Sequence, residues 1–176
     1  TSHIEVLVRM LGDNNEVIPP NAFIPAAERF NLVHLIDRWV IHKVCSHLQS
    51  YPLKLNNIDV CHINISGKSF DHEDFTQFTI ETIKQYNIPA NSLCFEITET
   101  AAISNLTQVC EFMEQLKAMG SSFALDDFGA GLSSFAYLKQ FPVKYLKIDG
   151  AFVRNMANDN TDKAMVNAIS NIGKTL

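Results

Sequence analysis

Residues 93–99 read Leu93-Cys94-Phe95-Glu96-Ile97-Thr98-Glu99, an apolar segment of strand length with an acid in its interior. Four other segments repeat this pattern, each with a charged or amide side chain at the same strand parity near its carboxyl end. They are Ile4–Arg9, Cys61–Ser66, Phe123–Asp127 and Tyr145–Asp149. An ionised group on the inner face of a buried strand is unfavourable unless it is paired or binds a cation. The pattern therefore predicts one site to which several strands contribute.

Helical stretches separate the five segments, which is typical of a parallel sheet in an α/β fold. Gly12–Asn15 is expected to form a turn, and Pro19 and Pro20 are expected to block regular structure. The predicted helices cover residues 25–29, 32–49, 72–86, a stretch capped by Ser104 or Asn105 that ends at Gly120, residues 134–140, and a last helix from about Asp162 to the terminus.

Five such βα units fit either a doubly wound sheet or part of an eight-fold barrel. The inward polar side chains favour the barrel, because a barrel collects residues from many strands at the carboxyl ends of its strands. A complete barrel needs roughly 200 residues or more, whereas this chain has 176. We expect an incomplete TIM-like barrel that lacks its first and last strands.

Composition excludes several classes of protein. Hydrophobic residues make up 47% of the chain, which is enough for a core, and the net charge of −5 argues against a general nucleic-acid surface. No apolar run approaches the roughly 20 residues of a membrane helix, and no signal peptide is visible. The four cysteines form no C-x-x-C pair and are expected to be buried thiols of a reducing cytosol.

Oxygen donors on four different strands predict a hard-cation site. The donors are Glu5, Asn64, Glu96 and the pair Asp126-Asp127. Successive strand residues point to opposite faces, so both aspartates can reach one site only where the chain leaves the sheet. Paired divalent ions about 3.5–4 Å apart are a common device for phosphoryl hydrolysis. The alternative interpretation of the two aspartates is a turn-and-cap pair.

Lys147 and Asp149 share one face of the fifth strand. Two interpretations stay open for them. Either they form a buried ion pair, or Lys147 holds an attacking water or a phosphate oxygen while Asp149 orients it.

Three further side chains are candidates for the same site. Glu99 lies at a strand end and either braces a neighbouring loop or begins a helix; Arg9 suits an anionic ligand or a salt bridge. His62 shares a face with Asn64 and is a weaker candidate for lining the site. The Gly129-Ala130-Gly131 segment lacks the third glycine of a dinucleotide fingerprint, and a mobile loop beside the aspartates is its better interpretation.

Together these motifs resemble the EAL domain family, the cyclic-di-GMP phosphodiesterases. The matching segments are Glu5-Val6-Leu7-Val8-Arg9 for E-A-L-x-R, Asn64-Ile65-Ser66, Glu96-Ile97-Thr98-Glu99, Asp126 through Ser134 for D-D-F-G-x-G-x-S-S, and Lys147-Ile148-Asp149. Val6 stands where the motif has alanine, on the parity that faces the helices. The segment Pro20–Pro25 and Leu132 are most similar to EAL domains that follow a GGDEF domain in bacterial signalling proteins.

The resemblance implies a TIM-like barrel with two Mg²⁺ or Mn²⁺ ions, inhibited by Ca²⁺, that hydrolyses cyclic-di-GMP to linear pGpG. By analogy, Glu5, Asn64, Glu96 and Asp126 bind the first ion, and Asp126 and Asp127 reach the second. Lys147 positions the water, with Asp149 in support. The same analogy gives Leu7 and Arg9 as ligand contacts. Glu99 would hold the loop over residues 127–134, which with the following helix would form a homodimer interface.

Residues 1–176 are therefore expected to be a partial EAL domain of a cytoplasmic region, with any membrane anchor supplied by other domains. The family's first strand is expected before Thr1, and a strand with a further metal-binding glutamate after Leu176. We expect the isolated chain to hydrolyse cyclic-di-GMP poorly. The alternatives to an enzyme are a receptor that binds cyclic-di-GMP without cleaving it and a dimerisation module.

Overall fold

A computed structural model describes residues 2–52, 58–129 and 135–175. Its main sheet has five strands, and every neighbouring pair is parallel. In spatial order they are β1 (His3–Val6), β4 (Val60–Asn64), β5 (Leu93–Thr98), β6 (Ser122–Phe128) and β7 (Tyr145–Ile148). The short strands β2 (Met10–Leu11) and β3 (Val17–Ile18) form a separate antiparallel hairpin. This sheet confirms the predicted incomplete TIM-like barrel.

Seven α-helices accompany the strands in the described ranges. They are α1 (Pro20–Arg29), α2 (Val33–Ser50), α3 (Phe75–Gln85), α4 (Glu99–Ser104), α5 (Leu106–Met119), α6 (Gly150–Asn155) and α7 (Asn160–Thr175). The 3₁₀ segments are Gly67–Asp71, Ala90–Ser92 and Phe135–Gln140. None of the helices that the structure describes is long and apolar enough to cross a membrane.

Several predicted boundaries were wrong for identifiable reasons. Pro20 does not block structure but begins α1, because a proline at the first helical position lacks only an N–H that would have no helical partner. Pro25 lies inside that helix and does not begin it. The first strand ends at Val6, well before Arg9. The segment expected as a helix over 134–140 is a 3₁₀ helix over 135–140.

Of two short helices, α6 was not predicted, and α4 was left open as one interpretation of Glu99, although each has a capping signal. Thr98 precedes α4 and its hydroxyl accepts the N–H of Ala101 at 3.3 Å. Asp149 precedes α6 and its carboxylate accepts the N–H of Ala151 at 2.6 Å. Both are the Ser/Thr/Asp N-caps that the first turn of a helix favours.

The two faces of the sheet differ in character. On β5, Leu93, Phe95 and Ile97 point into the main core under the helices, while Cys94 and Glu96 occupy the opposite parity. Among the described residues, the apolar cluster of the inner face is small and consists of Val60, Cys94, Ala124 and Tyr145. Polar side chains can therefore collect on the inner face without disturbing the core. Cys45, Cys61 and Cys94 are buried free thiols, as predicted, whereas Cys110 on α5 is only half-buried.

Contacts between the two edge strands show that the sheet is curled. The rings of His3 on β1 and Tyr145 on β7 lie 5.4 Å apart between centroids. Two residues further along each strand, Glu5 and Lys147 approach to 3.4 Å. Three strands lie between β1 and β7 in the sheet, so these contacts reach across the interior of the incomplete barrel. Residues on separate strands are thereby brought to one locus.

Phe112 is the centre of the helix–sheet core. Its ring is fully buried and lies 5.2–5.9 Å between centroids from four other rings, those of Phe70, Phe75, Phe95 and Phe123. Phe112→Ala is expected to lower the free energy of unfolding by about 3–5 kcal/mol, because the cavity loses these contacts. Urea denaturation measures this loss. The matched control is Phe30→Ala, whose ring is 67% exposed and whose loss is expected below about 0.5 kcal/mol. Equal losses in both variants would contradict the proposed core.

Candidate functional site

Strand register brings the predicted donors to one end of the sheet. Glu5 pairs with His62 across β1 and β4, and Asn64 pairs with Glu96 across β4 and β5. Thr98 pairs with Asp126 across β5 and β6. Because parallel strands end at the same edge, these positions lie at the carboxyl ends of the strands, where barrel proteins carry their chemistry.

The ammonium group of Lys147 lies at the centre of three carboxylates. Its Nζ is 2.6 Å from Glu96 Oε2, 3.3 Å from Asp126 Oδ2 and 3.4 Å from Glu5 Oε2. Asn64 Nδ2 donates to the other oxygen of Glu5 at 2.8 Å. The structure therefore brings together five of the predicted site residues, from five strands, around one positive charge.

Electrostatics in this cluster favour the charged forms of Glu5 and Lys147. Burial opposes charge on Glu5, but the Asn64 hydrogen bond and the Lys147 ammonium lower its pKa below the ordinary value. Burial likewise opposes charge on Lys147, but the hydrogen bond to Glu96 and the charges of Glu96, Asp126 and Glu5 raise its pKa above the ordinary value. The carboxylates thus form an anionic locus that requires a cation.

Asp127 lies at a backbone irregularity within β6, which continues to Phe128. The pairing of β6 with β7 shifts register between Leu125 and Phe128, and Asp127 has a left-handed φ of 51°. A shift of this kind re-aims side chains that would otherwise alternate between faces. Burial, followed by the nearby charges of Asp126 and Asp149, raises the pKa of Asp127. Asp127 therefore lies near enough to Asp126 and Asp149 for their charges to act on it, and its place in a second cation site stays a prediction.

Asp149 differs from the prediction. Lys147 forms its ion pairs with Glu96, Asp126 and Glu5, whereas the Asp149 carboxylate caps α6. Of the two interpretations left open, the Lys147–Asp149 ion pair is not formed among the contacts of the described residues. The physical reason is that the chain turns into a helix directly after Asp149, which makes its carboxylate the nearest acceptor for the first helical N–H groups.

Leu7 and Arg9 lie beyond the end of β1 and in different places. Leu7 lines a cleft of about 350 Å³ together with Glu5, Asn64 and Glu96. Arg9 is exposed and donates from Nη1 to its neighbour Val8 O at 2.8 Å. Both residues also line an apolar groove beside Trp39 and Lys43. The structure thus places Leu7 at the site and Arg9 outside the cleft.

Glu99 is buried at the start of α4, so it both begins a helix and contacts the loop. Its Oε2 accepts the N–H of Gly129 at 2.9 Å, and its other oxygen accepts the hydroxyl of Tyr137. These contacts lie on either side of residues 130–134. The remainder of the predicted loop, including Gly131 and Ser134, lies outside the described residues.

A histidine pair beneath the carboxylates was only partly foreseen. His62 Nδ1 lies 2.6 Å from Glu96 Oε1, and His62 Nε2 lies 2.7 Å from His3 Nδ1. His62 was found because it lies two residues before Asn64 and so on the same face of β4. His3 lies two residues before Glu5 on β1, and the same argument could have found it. Burial, followed by the charge of His62, lowers the pKa of His3.

Asp37 supports the turn that follows Asn64, and sequence analysis missed it. It is a buried acid on α2 that accepts the N–H of Ser66 at 2.9 Å and the hydroxyl of Ser69 at 2.6 Å. Burial raises its pKa to about 7 against these two hydrogen bonds, with a further contribution from Glu28. An acid within an apolar helix pattern carries no distinctive sequence signal, which explains the omission.

The donor chemistry of this site fits a hard divalent cation. Carboxylate and amide oxygens are the ligands that Mg²⁺ and Mn²⁺ prefer, and here three carboxylates already converge on the positive charge of Lys147. Over residues 2–52, 58–129 and 135–175, no group of three or more His, Cys, Asp and Glu side chains is arranged to hold an ion by itself. In this structure the ammonium of Lys147 offsets one of the three negative charges of Glu5, Glu96 and Asp126.

The EAL domain family model matches residues 1–176. The chain belongs to the EAL domain family. This EAL chain is 40% identical over 173 residues to cyclic di-GMP phosphodiesterase PdeB of Shewanella oneidensis. The matched region covers 98% of this chain and 20% of PdeB. It is 35% identical over 170 residues to cyclic di-GMP phosphodiesterase PdeF of Escherichia coli, over 97% of this chain and 23% of that protein. The EAL chain thus spans about a fifth to a quarter of the length of these curated relatives.

Solved structures have the same fold. The PaMucR phosphodiesterase in complex with c-di-GMP superposes with a TM-score of 0.89 and 32% identity, over 97% of the EAL chain and 69% of that chain. The FimX EAL domain of Pseudomonas aeruginosa, bound to c-di-GMP, gives a TM-score of 0.86 and 28% identity. The match covers 98% of the EAL chain and 69% of the FimX chain. Both the family and the barrel fold expected from the motifs are confirmed.

Asp37→Asn tests the buried acid beneath the site. A folded-state pKa of about 7, raised from the ordinary 3.8, means that the folded state holds a proton that the unfolded state releases. Stability should therefore fall as pH rises from 4 to 8, by up to roughly 4 kcal/mol. The Asn variant keeps an acceptor oxygen and should lose this dependence, so that it is more stable than wild type at pH 8. Urea unfolding at several pH values measures the difference.

The control for this comparison is Asp13→Asn, an exposed acid in the turn before β3. It should leave the pH dependence of unfolding unchanged. Parallel pH profiles for wild type and Asp37→Asn would show that Asp37 is ionised at neutral pH in the folded protein.

Proposed function

We propose that the protein carrying this chain is a phosphodiesterase that hydrolyses one phosphodiester bond of cyclic-di-GMP and gives linear pGpG. The observation that carries the proposal is the convergence of Glu5, Glu96 and Asp126, from three strands, on the Lys147 ammonium within 3.4 Å. Two relatives, PdeB and PdeF, are named cyclic di-GMP phosphodiesterases. The substrate is proposed from the names of these relatives, and the site of hydrolysis is proposed from the carboxylate cluster around Lys147.

Two Mg²⁺ or Mn²⁺ ions are part of the proposal, since EAL phosphodiesterases are in general metal-dependent. Bound ions would supply Lewis-acid stabilisation of the phosphate and activation of water. Glu5, Asn64, Glu96 and Asp126 are proposed to hold the first, and Asp126 with Asp127 the second. The raised pKa of Asp127, caused by burial and then by Asp126 and Asp149, supports a locus where acids crowd and a cation is favourable.

Lys147 is proposed to position the nucleophilic water and to meet negative charge that develops on the phosphate. Its ammonium is two-thirds buried and held by three carboxylates, so it is oriented before substrate arrives. Asp149 is proposed to support Lys147 through the backbone, because it fixes the start of α6 directly after β7. Leu7 is proposed to contact the ligand in the cleft, and Arg9 to reach it by moving from its exposed position.

Glu99 is proposed to hold the loop beside Asp127. Its carboxylate joins the first turn of α4 to Gly129, two residues after Asp127. By the family resemblance, residues 127–134 with the following 3₁₀ helix would form a homodimer interface in a cytoplasmic protein. This arrangement would couple dimerisation to the position of Asp127 through Glu99.

A receptor that binds cyclic-di-GMP without cleaving it is the second candidate. It has support from the similarity to the FimX EAL domain of Pseudomonas aeruginosa, whose solved structure is bound to c-di-GMP. Calorimetric titration with cyclic-di-GMP in Ca²⁺ and turnover in Mg²⁺ or Mn²⁺ separate the two. Binding with metal-dependent cleavage identifies the enzyme, and binding alone identifies the receptor. Absence of both supports the dimerisation module.

Glu96→Gln is expected to lower turnover of cyclic-di-GMP roughly 100-fold or more in the protein that carries this chain. The reason is that a neutral amide removes a buried anionic donor from the centre of the cluster. Chromatographic detection of pGpG at saturating Mn²⁺ measures the rate. Glu114→Gln, an exposed acid on α5, is the matched control and should retain full activity. Full activity in Glu96→Gln would contradict the proposed role of the cluster.

A further inference from the structure

We propose that His62 is a positioning residue for Glu96, fixed in turn by His3. This inference rests on the proposed function, since Glu96 is the carboxylate placed there to hold a divalent cation. His62 does not touch the reacting groups. Its role is to determine which oxygen of Glu96 faces the mouth of the barrel.

The two oxygens of Glu96 have different partners. His62 Nδ1 contacts Oε1 at 2.6 Å, and Lys147 Nζ contacts Oε2 at 2.6 Å. Glu96 is 1% exposed and His62 is 8% exposed, so water competes little for Oε1. Because His62 contacts Oε1, Oε2 faces Lys147, which also contacts Glu5 and Asp126.

The hydrogen bonds among His3, His62 and Glu96 indicate which ring nitrogens carry protons. An ionised carboxylate is only an acceptor, so His62 Nδ1 must carry the hydrogen. Nε2 of the neutral ring is then an acceptor, and His3 Nδ1 donates to it at 2.7 Å. The result is a directional series in which His3 donates to His62 and His62 donates to Glu96.

Packing holds the His62 ring in this orientation. The Tyr145 ring lies 5.8 Å from the His62 ring and 5.4 Å from the His3 ring between centroids, and the His3 contact is edge-to-face. The three residues belong to β4, β1 and β7, so rings from three strands meet at the hydrogen bond between His62 and His3. Partners of ligating carboxylates typically contribute 10–100-fold to metal affinity.

Substitutions of His62 separate positioning from general stability. Asn carries its N–H at about the position of Nδ1 and should preserve the bond to Glu96, whereas Ala removes it. His62→Ala is expected to weaken Mn²⁺ affinity by about 10–100-fold, measured by calorimetry, and His62→Asn should recover most of that loss. Excess Mn²⁺ should restore much of the turnover of His62→Ala. His42→Ala, an exposed position on α2, is the matched control and should match wild type.

The wild-type protein supplies a readout that needs no substitution. Long-range ¹H–¹⁵N correlation spectra of ¹⁵N-histidine-labelled protein report which ring nitrogen carries the proton. We expect His62 to be protonated at Nδ1 and unprotonated at Nε2. An Nε2–H tautomer, or unchanged Mn²⁺ affinity in a folded His62→Ala variant, would overturn the inference, as would wild-type protein that binds no Mn²⁺. Failure to cleave cyclic-di-GMP would contradict the proposed function alone, because ring tautomer and metal affinity are measured without turnover.

Discussion

Mutual repulsion among carboxylates at the end of a parallel sheet is the constraint on which this structure depends. Glu5, Glu96 and Asp126 approach one point from three strands, and only a cation can stabilise them there. Lys147 supplies that charge from β7. Asn64 donates to the Glu5 oxygen that the ammonium does not contact, and His62 Nδ1 lies 2.6 Å from the corresponding oxygen of Glu96. A polar locus of this kind persists because the apolar core lies on the other face of the sheet.

The sequence predicted the strands and the convergence of the donors, because both depend on period-two alternation and on strand order. Once Glu96 is placed on the inner face of β5, parallel register aligns Asn64 with it and aligns Asp126 with Thr98. The chain was expected to leave the sheet at the two aspartates, but β6 continues to Phe128, which pairs with Ile148. A register shift and the left-handed φ of Asp127 change the direction of its side chain within the strand.

What the sequence did not reveal depends on contacts between distant elements. Asp37 lies in an amphipathic helix, and only tertiary packing brings Ser66 and Ser69 to it. The ion pair between Lys147 and Asp149, one of two interpretations left open, is not formed, because α6 begins directly after Asp149 and the Asp149 carboxylate caps it. Arg9 was assigned by strand parity, but β1 ends at Val6, so parity no longer determined its direction. Local patterns thus located the donors, and competition for hydrogen bonds determined the partners.

Anomalous diffraction from crystals of the protein soaked in Mn²⁺ tests the central claim most directly. The claim predicts an anomalous peak among the oxygens of Glu5, Asn64, Glu96 and Asp126 at the carboxyl end of the sheet. Absence of a peak at that place in crystals that hold Mn²⁺ elsewhere, or a refined structure with these carboxylates turned away from one another, would contradict it.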